Sequence, residues 1–143
     1  MLTAEHIINE FKGKIHCSQQ VLREWAEELG YSREEASRMA APFGGGMFRG
    51  DTCGAICGAM MAIGMKYGHH EHGDFEKNEA MIEKIEEFNR EFIARNGSTI
   101  CRDLVGRDFS VEGERKKALE SGKIFEVCPK FVQDALDILD EIM

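Results

Sequence analysis

Residues 53–68, CGAICGAMMAIGMKYG, are apolar on nearly every side when wound as a helix. A helix of that kind belongs in the middle of a bundle, not on its surface. Its glycines, Gly54, Gly58 and Gly64, each cost about 1 kcal/mol against alanine in a helix. Close approach of neighbouring backbones is the expected compensation. The longest uncharged stretch, Thr52 to Met65, is too short for a bilayer, which takes roughly 20 residues.

The rest of the chain reads as helices joined by glycine-marked turns. Thr3 caps a first helix expected to run, with a bend at Gly13, to about Leu29, carrying Val21, Leu22 and Trp25 at helical spacing. Ser32 stands three residues before Glu35, a capping box for a short second helix that Pro42 and Gly44-Gly45-Gly46 end. Asp51 or Thr52 is placed to cap the apolar helix. Asp74 opens a long helix to about Asn96, with Met81, Ile85, Phe88 and Phe92 as its buried stripe and Glu91/Arg95 as an i,i+4 pair. A short helix is expected from Thr99 to Gly106 and a charged one between Val111 and Gly122. Cys128-Pro129 is read as the start of the last helix, proline being favoured at the first helical position. Strand-like alternation is nearly absent. The expectation is an all-α fold, one domain over residues 1–143, a compact bundle of about five to seven helices around the Gly/Met-rich helix.

Charge narrows the partners. The formal net charge is -8 and no Lys/Arg cluster forms a basic stripe, so neither nucleic acid nor an anionic membrane surface is an expected partner. The N-terminal segment has Glu5 and Glu10 and no apolar core of a signal peptide. A cytoplasmic location is expected. Oligomeric state is left open.

The five cysteines are then expected to be free thiols rather than fixed disulfides. Cys53, Cys101 and Cys128 each fall at or just before an expected helix start. Unpaired N–H groups and the positive end of the dipole favour a thiolate there, and Arg49, Arg102 and Lys130 are close in sequence. Taken singly, each cysteine reads as a small buried hydrophobe. Three at helix starts point instead to ionised sulfur, the form that attacks disulfides, meets oxidants and binds metals. Cys17 is expected inside the first helix, as a resolving thiol or fourth ligand. Cys57 shares a face with Cys53, but i,i+4 on an intact helix is wider than the roughly 3.5–4.5 Å that a disulfide asks of its Cβ atoms. It reads as a core thiol.

Four blocks, HCSQQVL, FGGGMFRGDTCGAICGAMMAIGMKYG, GSTICRDLVGRD and EVCPKFVQDALDIL, resemble in order and spacing the C-GCAxxG-C-C family, described as redox-active proteins. The resemblance covers nearly the whole chain and includes a CGAxxG element at residues 53–58. It implies Cys17, Cys53, Cys101 and Cys128 as the site, with Cys57 at a variable position. Selenoprotein relatives imply a redox-reactive chalcogen. A related domain in a split-Soret cytochrome c, which carries an iron–sulfur centre, implies cluster ligation instead. No CxxCH is present, so covalent haem is not implied.

Other candidates carry less. Gly44-Gly45-Gly46 is not followed by Lys-Ser/Thr and is no P-loop. Its glycines are expected to bring backbone close to Cys53. Arg49 either holds an anionic substrate or pairs with an acid. His69, His70 and His72 read as a solvated turn, and a His16/Cys17 pair as neighbours pointing apart. Two functions stand: thiol redox chemistry, with Cys53 first as nucleophile and a thiol-dependent oxidoreductase in view, or a four-cysteine [2Fe–2S] electron carrier. A structural zinc site is third. The redox partner is unknown.

Overall fold

The computed structural model describes residues 2–143. Among them stand eight α-helices: α1 Ala4–Lys12, α2 Cys17–Ala26, α3 Arg33–Ala40, α4 Gly54–Tyr67, α5 Phe75–Asn96, α6 Cys101–Val105, α7 Glu114–Glu120 and α8 Lys123–Ile142. No described residue lies in a strand, and the one β-bridge joins Thr52 to Ile100. The fold is all-α. Among the described residues no helix is long and apolar enough to cross a membrane.

Several boundaries follow directly from capping chemistry. The Thr3 hydroxyl accepts from the His6 N–H, Ser32 Oγ from Glu35 N–H, and Asp74 Oδ1 from Lys77 N–H. Each satisfies one of the donors that a helix start leaves orphaned. Gly97, at φ 81°, ends α5 in the left-handed conformation that spares glycine a Cβ clash.

The expected single helix from Thr3 to Leu29 is two helices. Lys14, at φ 68°, takes the left-handed position after α1. Ile15 N–H then donates to the Glu10 carbonyl and Lys14 N–H to that of Phe11, the paired bonds of a Schellman end. The buried Gln20 amide secures the break, donating to the carbonyls of Ile7 and Ile15. Cys17 therefore opens α2 instead of lying within a helix. The reverse correction applies at the other end. The αL glycine Gly122 starts α8 at Lys123, so Cys128 and Pro129 lie inside the helix. Pro129 has no N–H for the Phe125 carbonyl one turn back. Nor do Asp51 or Thr52 cap α4: Cys53 holds that position.

One buried cluster takes residues from every helix, with Phe88, Phe92, Leu22, Ile63, Val132 and Leu139 fully buried. α4 packs against α2, α5 and α8. A Cβ on Gly58 would lie 2.5 Å from the Ser18 carbonyl oxygen of α2, so the two backbones approach only because that atom is missing. Gly64 has open space around it and takes no part in this. Arg95 does not serve Glu91 on its own helix. It reaches across to Asp134, Asp137 and Glu141 of α8, at 3.6, 3.6 and 3.1 Å.

Candidate functional site: four thiols around one cavity

Four elements each bring one cysteine to a common cavity of about 40 Å³, lined by Cys17, Cys53, Cys101 and Cys128. Cys17 is placed by the polar run that follows it. Ser18 Oγ donates to the Ala40 carbonyl at 2.7 Å and Gln19 Nε2 to that of Ser37 at 3.0 Å, tying the start of α2 to α3. Cys53 and Cys101 are set side by side by the Thr52–Ile100 bridge. Cys53 N–H donates to the Thr99 carbonyl at 2.9 Å and Cys101 N–H to that of Asp51 at 2.6 Å. Those two amides are thus spent on backbone. Cys128 enters from α8.

The glycines fit against this cavity. A Cβ on Gly54 would land on the Cys17 sulfur, and one on Gly46 would lie 2.8 Å from the Cys101 Cβ. Gly44 packs on the His16 ring. Residues 45–48 form a left-handed turn: Gly45, Gly46, Met47 and Phe48 have φ of 58, 63, 60 and 57°. For Met47 and Phe48 that conformation costs roughly 1–2 kcal/mol each.

Electrostatics departs from the expectation of ready-made thiolates. Burial pushes every one of the five thiols up, because ionised sulfur loses its water. Cys101 is pushed up to about 12 and Cys57 to about 11, and Cys53 and Cys128 stand well above the ordinary value. At Cys17 burial is opposed by four backbone N–H groups, those of Gly45, Ser18, Cys17 and Ala55. A Cys17 thiolate in turn pushes up the other four thiols and stabilises the Arg115 cation. Four backbone N–H groups oppose burial at Cys17 and one, that of Ala55, at Cys53, to which the sequence points first as nucleophile.

The three cations close in sequence are engaged elsewhere. Arg49 and Arg102 face Asp51 at 4.0 and 3.4 Å, and Lys130 holds Asp134 at 2.6 Å. Arg49 is not part of the cavity wall. The cations that line it are Lys14 and Arg115, neither of which the sequence reading singled out. Arg115 carried no signal beyond membership of a charged segment. Adjacency in a helix predicts that His16 and Cys17 point apart, yet both residues line the cavity, because His16 caps α2 and is not part of its spiral. Its imidazole pKa is lowered by burial, then by Arg115 and Lys14. Phe48 joins these groups: His16 meets its ring edge-on at 5.0 Å and the Arg115 guanidinium lies over it at 4.9 Å.

Cys57 lies outside the cavity wall and its thiol faces the Thr52 carbonyl at 3.7 Å. His69, His70 and His72 are exposed. Among the described residues, no three His, Cys, Asp or Glu side chains are grouped to hold a metal ion.

An all-helical protein with four thiols around one cavity is the class that fold and site define. Residues 15–142 match the family described as "Putative redox-active protein (C_GCAxxG_C_C)", and the chain belongs to that family. No curated protein and no solved structure matches the chain.

Proposed function

We propose that this protein carries out thiol-based redox chemistry at the four-cysteine cavity, with Cys17 as the attacking thiolate and Cys53 as the resolving thiol. The observation that carries the reading is the meeting of four sequence-distant cysteines at one cavity. The assignment of roles rests on the amides around Cys17 and on Gly54, which sets the residue after Cys53 against the Cys17 sulfur. Cys17 attacks an oxidant, and the Cys53 sulfur then attacks Cys17 to close a disulfide. Two thiols give up two electrons and two protons, and an external dithiol returns them. A raised thiol pKa reduces the ionised fraction but makes each thiolate more nucleophilic.

The test is mild oxidation with diamide, differential alkylation and peptide mass spectrometry. A reversible disulfide joining Cys17 to a cavity cysteine, with Cys57 left free, is expected. Uniform alkylation of all five thiols with no disulfide overturns the reading.

A second reading rests on number: four cavity thiols equal the ligand set of a [2Fe–2S] cluster. Cys17, Cys53, Cys101 and Cys128 would hold it, and it would supply one-electron transfer. Against it stands the absence of any three grouped metal-ligating side chains among the described residues. Anaerobic reconstitution with iron and sulfide decides. Brown protein with bound iron favours this reading, and colourless, iron-free protein removes it.

A further inference from the structure

We propose that the oxidant of this site is a small hydroperoxide, reduced at Cys17, with Arg115 holding the oxygen that departs; the inference rests on the thiol reading above. Size comes first. The cavity measures about 40 Å³, and one water needs roughly 10–15 Å³ of such space. It therefore takes roughly three or four oxygen-sized groups, enough for the two oxygens of hydrogen peroxide. A peptide disulfide carries a Cβ and a chain on each sulfur and needs more space than about 40 Å³. Nor do Cys53 and Cys101 offer it another entry, since they are 5% and 6% exposed.

Polarity points the same way. Most of the wall is hydrocarbon, including Phe11, Val105, Phe109 and Phe131. Such a wall disfavours a charged oxidant, which would lose its hydration on entry. Polar groups share that wall with Cys17: the Arg115, Lys14 and His16 side chains, beside the backbone N–H groups that oppose the burial of its thiol. Phe48 pins two of them, with Arg115 over its face and His16 at its edge. A guanidinium has five N–H donors in a fixed fork. From the wall it shares with Cys17 it can donate to an oxygen on which negative charge develops, as the attack requires.

The step balances without a metal. The Cys17 thiolate attacks one peroxide oxygen, an S–O bond forms and the O–O bond breaks. Hydroxide or alkoxide leaves beside Arg115 and takes a proton from solvent. Cys17 is now a sulfenic acid. The Cys53 sulfur attacks it, the S–S bond forms, the S–O bond breaks, and the Cys53 proton leaves with that oxygen as water. Two thiols have given two electrons to one peroxide, and a dithiol reductant restores them.

Cys57 provides an internal reference, because it is half-buried in the same molecule but outside the cavity wall. Reduced full-length protein is mixed with hydrogen peroxide or cumene hydroperoxide, quenched by alkylation, and both cysteines are followed by mass spectrometry. Cys17 is expected to oxidise on the order of a hundredfold faster than Cys57, and faster with hydrogen peroxide than with the bulkier reagent. Arg115→Gln is expected to slow Cys17 by roughly tenfold or more and leave Cys57 unchanged, and Arg115→Lys to restore part of the rate. The proposal is overturned if wild-type Cys17 reacts no faster than Cys57, a comparison that needs no variant. It is overturned too if Arg115→Gln, folded by circular dichroism, keeps the wild-type rate. A defined disulfide with diamide but a flat peroxide response overturns the hydroperoxide alone. No disulfide with either reagent overturns the thiol reading as well.

Discussion

The α5–α8 pair and the segment from Pro42 to Cys53 are built on opposite principles. α5 and α8 bury Phe88, Phe92, Val132, Ala135 and Leu139 at helical spacing, and the caps and cross-helix ion pairs agree with that spacing. Apart from Pro129 inside α8, local preference there favours the observed structure. Between Pro42 and Cys53 the backbone winds left-handed through Met47 and Phe48, which stay 51% and 36% exposed. Core burial does not explain that conformation. What it achieves is local: Gly46 rests on Cys101, and the Gly45 N–H is among the groups that oppose the burial of the Cys17 thiol. One region is shaped by stability. The other is held in a strained form where the thiols meet, and such strain concentrates at functional sites.

The sharpest way to break this contrast is Cys17→Ser. Loss of disulfide formation is expected to be complete, with far-UV circular dichroism unchanged, whereas Cys57→Ser is expected to keep it. A Cys17→Ser protein that still forms a cavity disulfide on diamide treatment would move the reactive sulfur elsewhere.

Next in size is a pair of glycine replacements on α4. Gly54→Ala puts a methyl group onto the Cys17 sulfur and 2.9 Å from the Phe43 carbonyl. Overpacking of that kind costs typically 1–3 kcal/mol, roughly, and should also slow Cys17. Gly64→Ala meets nothing within 4 Å and should stabilise by about 0.5–1 kcal/mol through the better helix propensity of alanine. Urea unfolding of both variants checks the signs. Equal effects would mean that the glycines are not placed for the site.

These contrasts explain what the sequence made legible. Periodicity and caps marked α5, the apolar face of α8 and the start of α3, because local preference and burial agree there. The family pattern marked the four cavity cysteines. The end of α1 was missed because a lysine, not a glycine, takes the left-handed position. The start of α8 was missed because Pro129 stands mid-helix, against the rule that places proline first. Arg115 gave no local signal, and His16 only its place beside Cys17. Their role arises from packing around Phe48, which is itself held in an unfavourable conformation. Three cations were credited to the cysteines from sequence proximity, and nearby carboxylates claim each of them.

Titration sharpens the comparison on a smaller scale. Burial pushes Cys101 up to about 12, against 9.0 for an ordinary thiol. Between those values the unfolded chain has lost a proton that the folded chain keeps. The unfolded state is then favoured as pH rises, so the stabilisation is full below about pH 9 and declines toward pH 12. Cys53 and Cys128, also pushed up, add in the same direction. Denaturant unfolding between roughly pH 8 and 10.5 should show falling stability in wild type and a shallower fall in Cys101→Ala. Identical slopes would show that the thiol is not shielded from water in the folded protein.

The smallest effect separates the two regions by charge. Arg95, with its side chain 25% exposed, faces three carboxylates of α8, whereas Arg49, 70% exposed, makes one ion pair among the described residues, with Asp51 at 4.0 Å. Exposed single pairs contribute little because water screens them and two long side chains must be held in place. Arg95 avoids part of that cost, since one ordered guanidinium serves three partners. Its removal also leaves Asp134, Asp137 and Glu141 repelling one another along one face of α8. Arg95→Ala should therefore destabilise by about 1 kcal/mol, and Arg49→Ala should stay within about 0.5 kcal/mol of wild type. Added salt should narrow the gap by screening. A larger loss at Arg49 than at Arg95 in urea unfolding would reverse the division drawn here, by making the strained glycine segment a support of the fold and not only of the thiols.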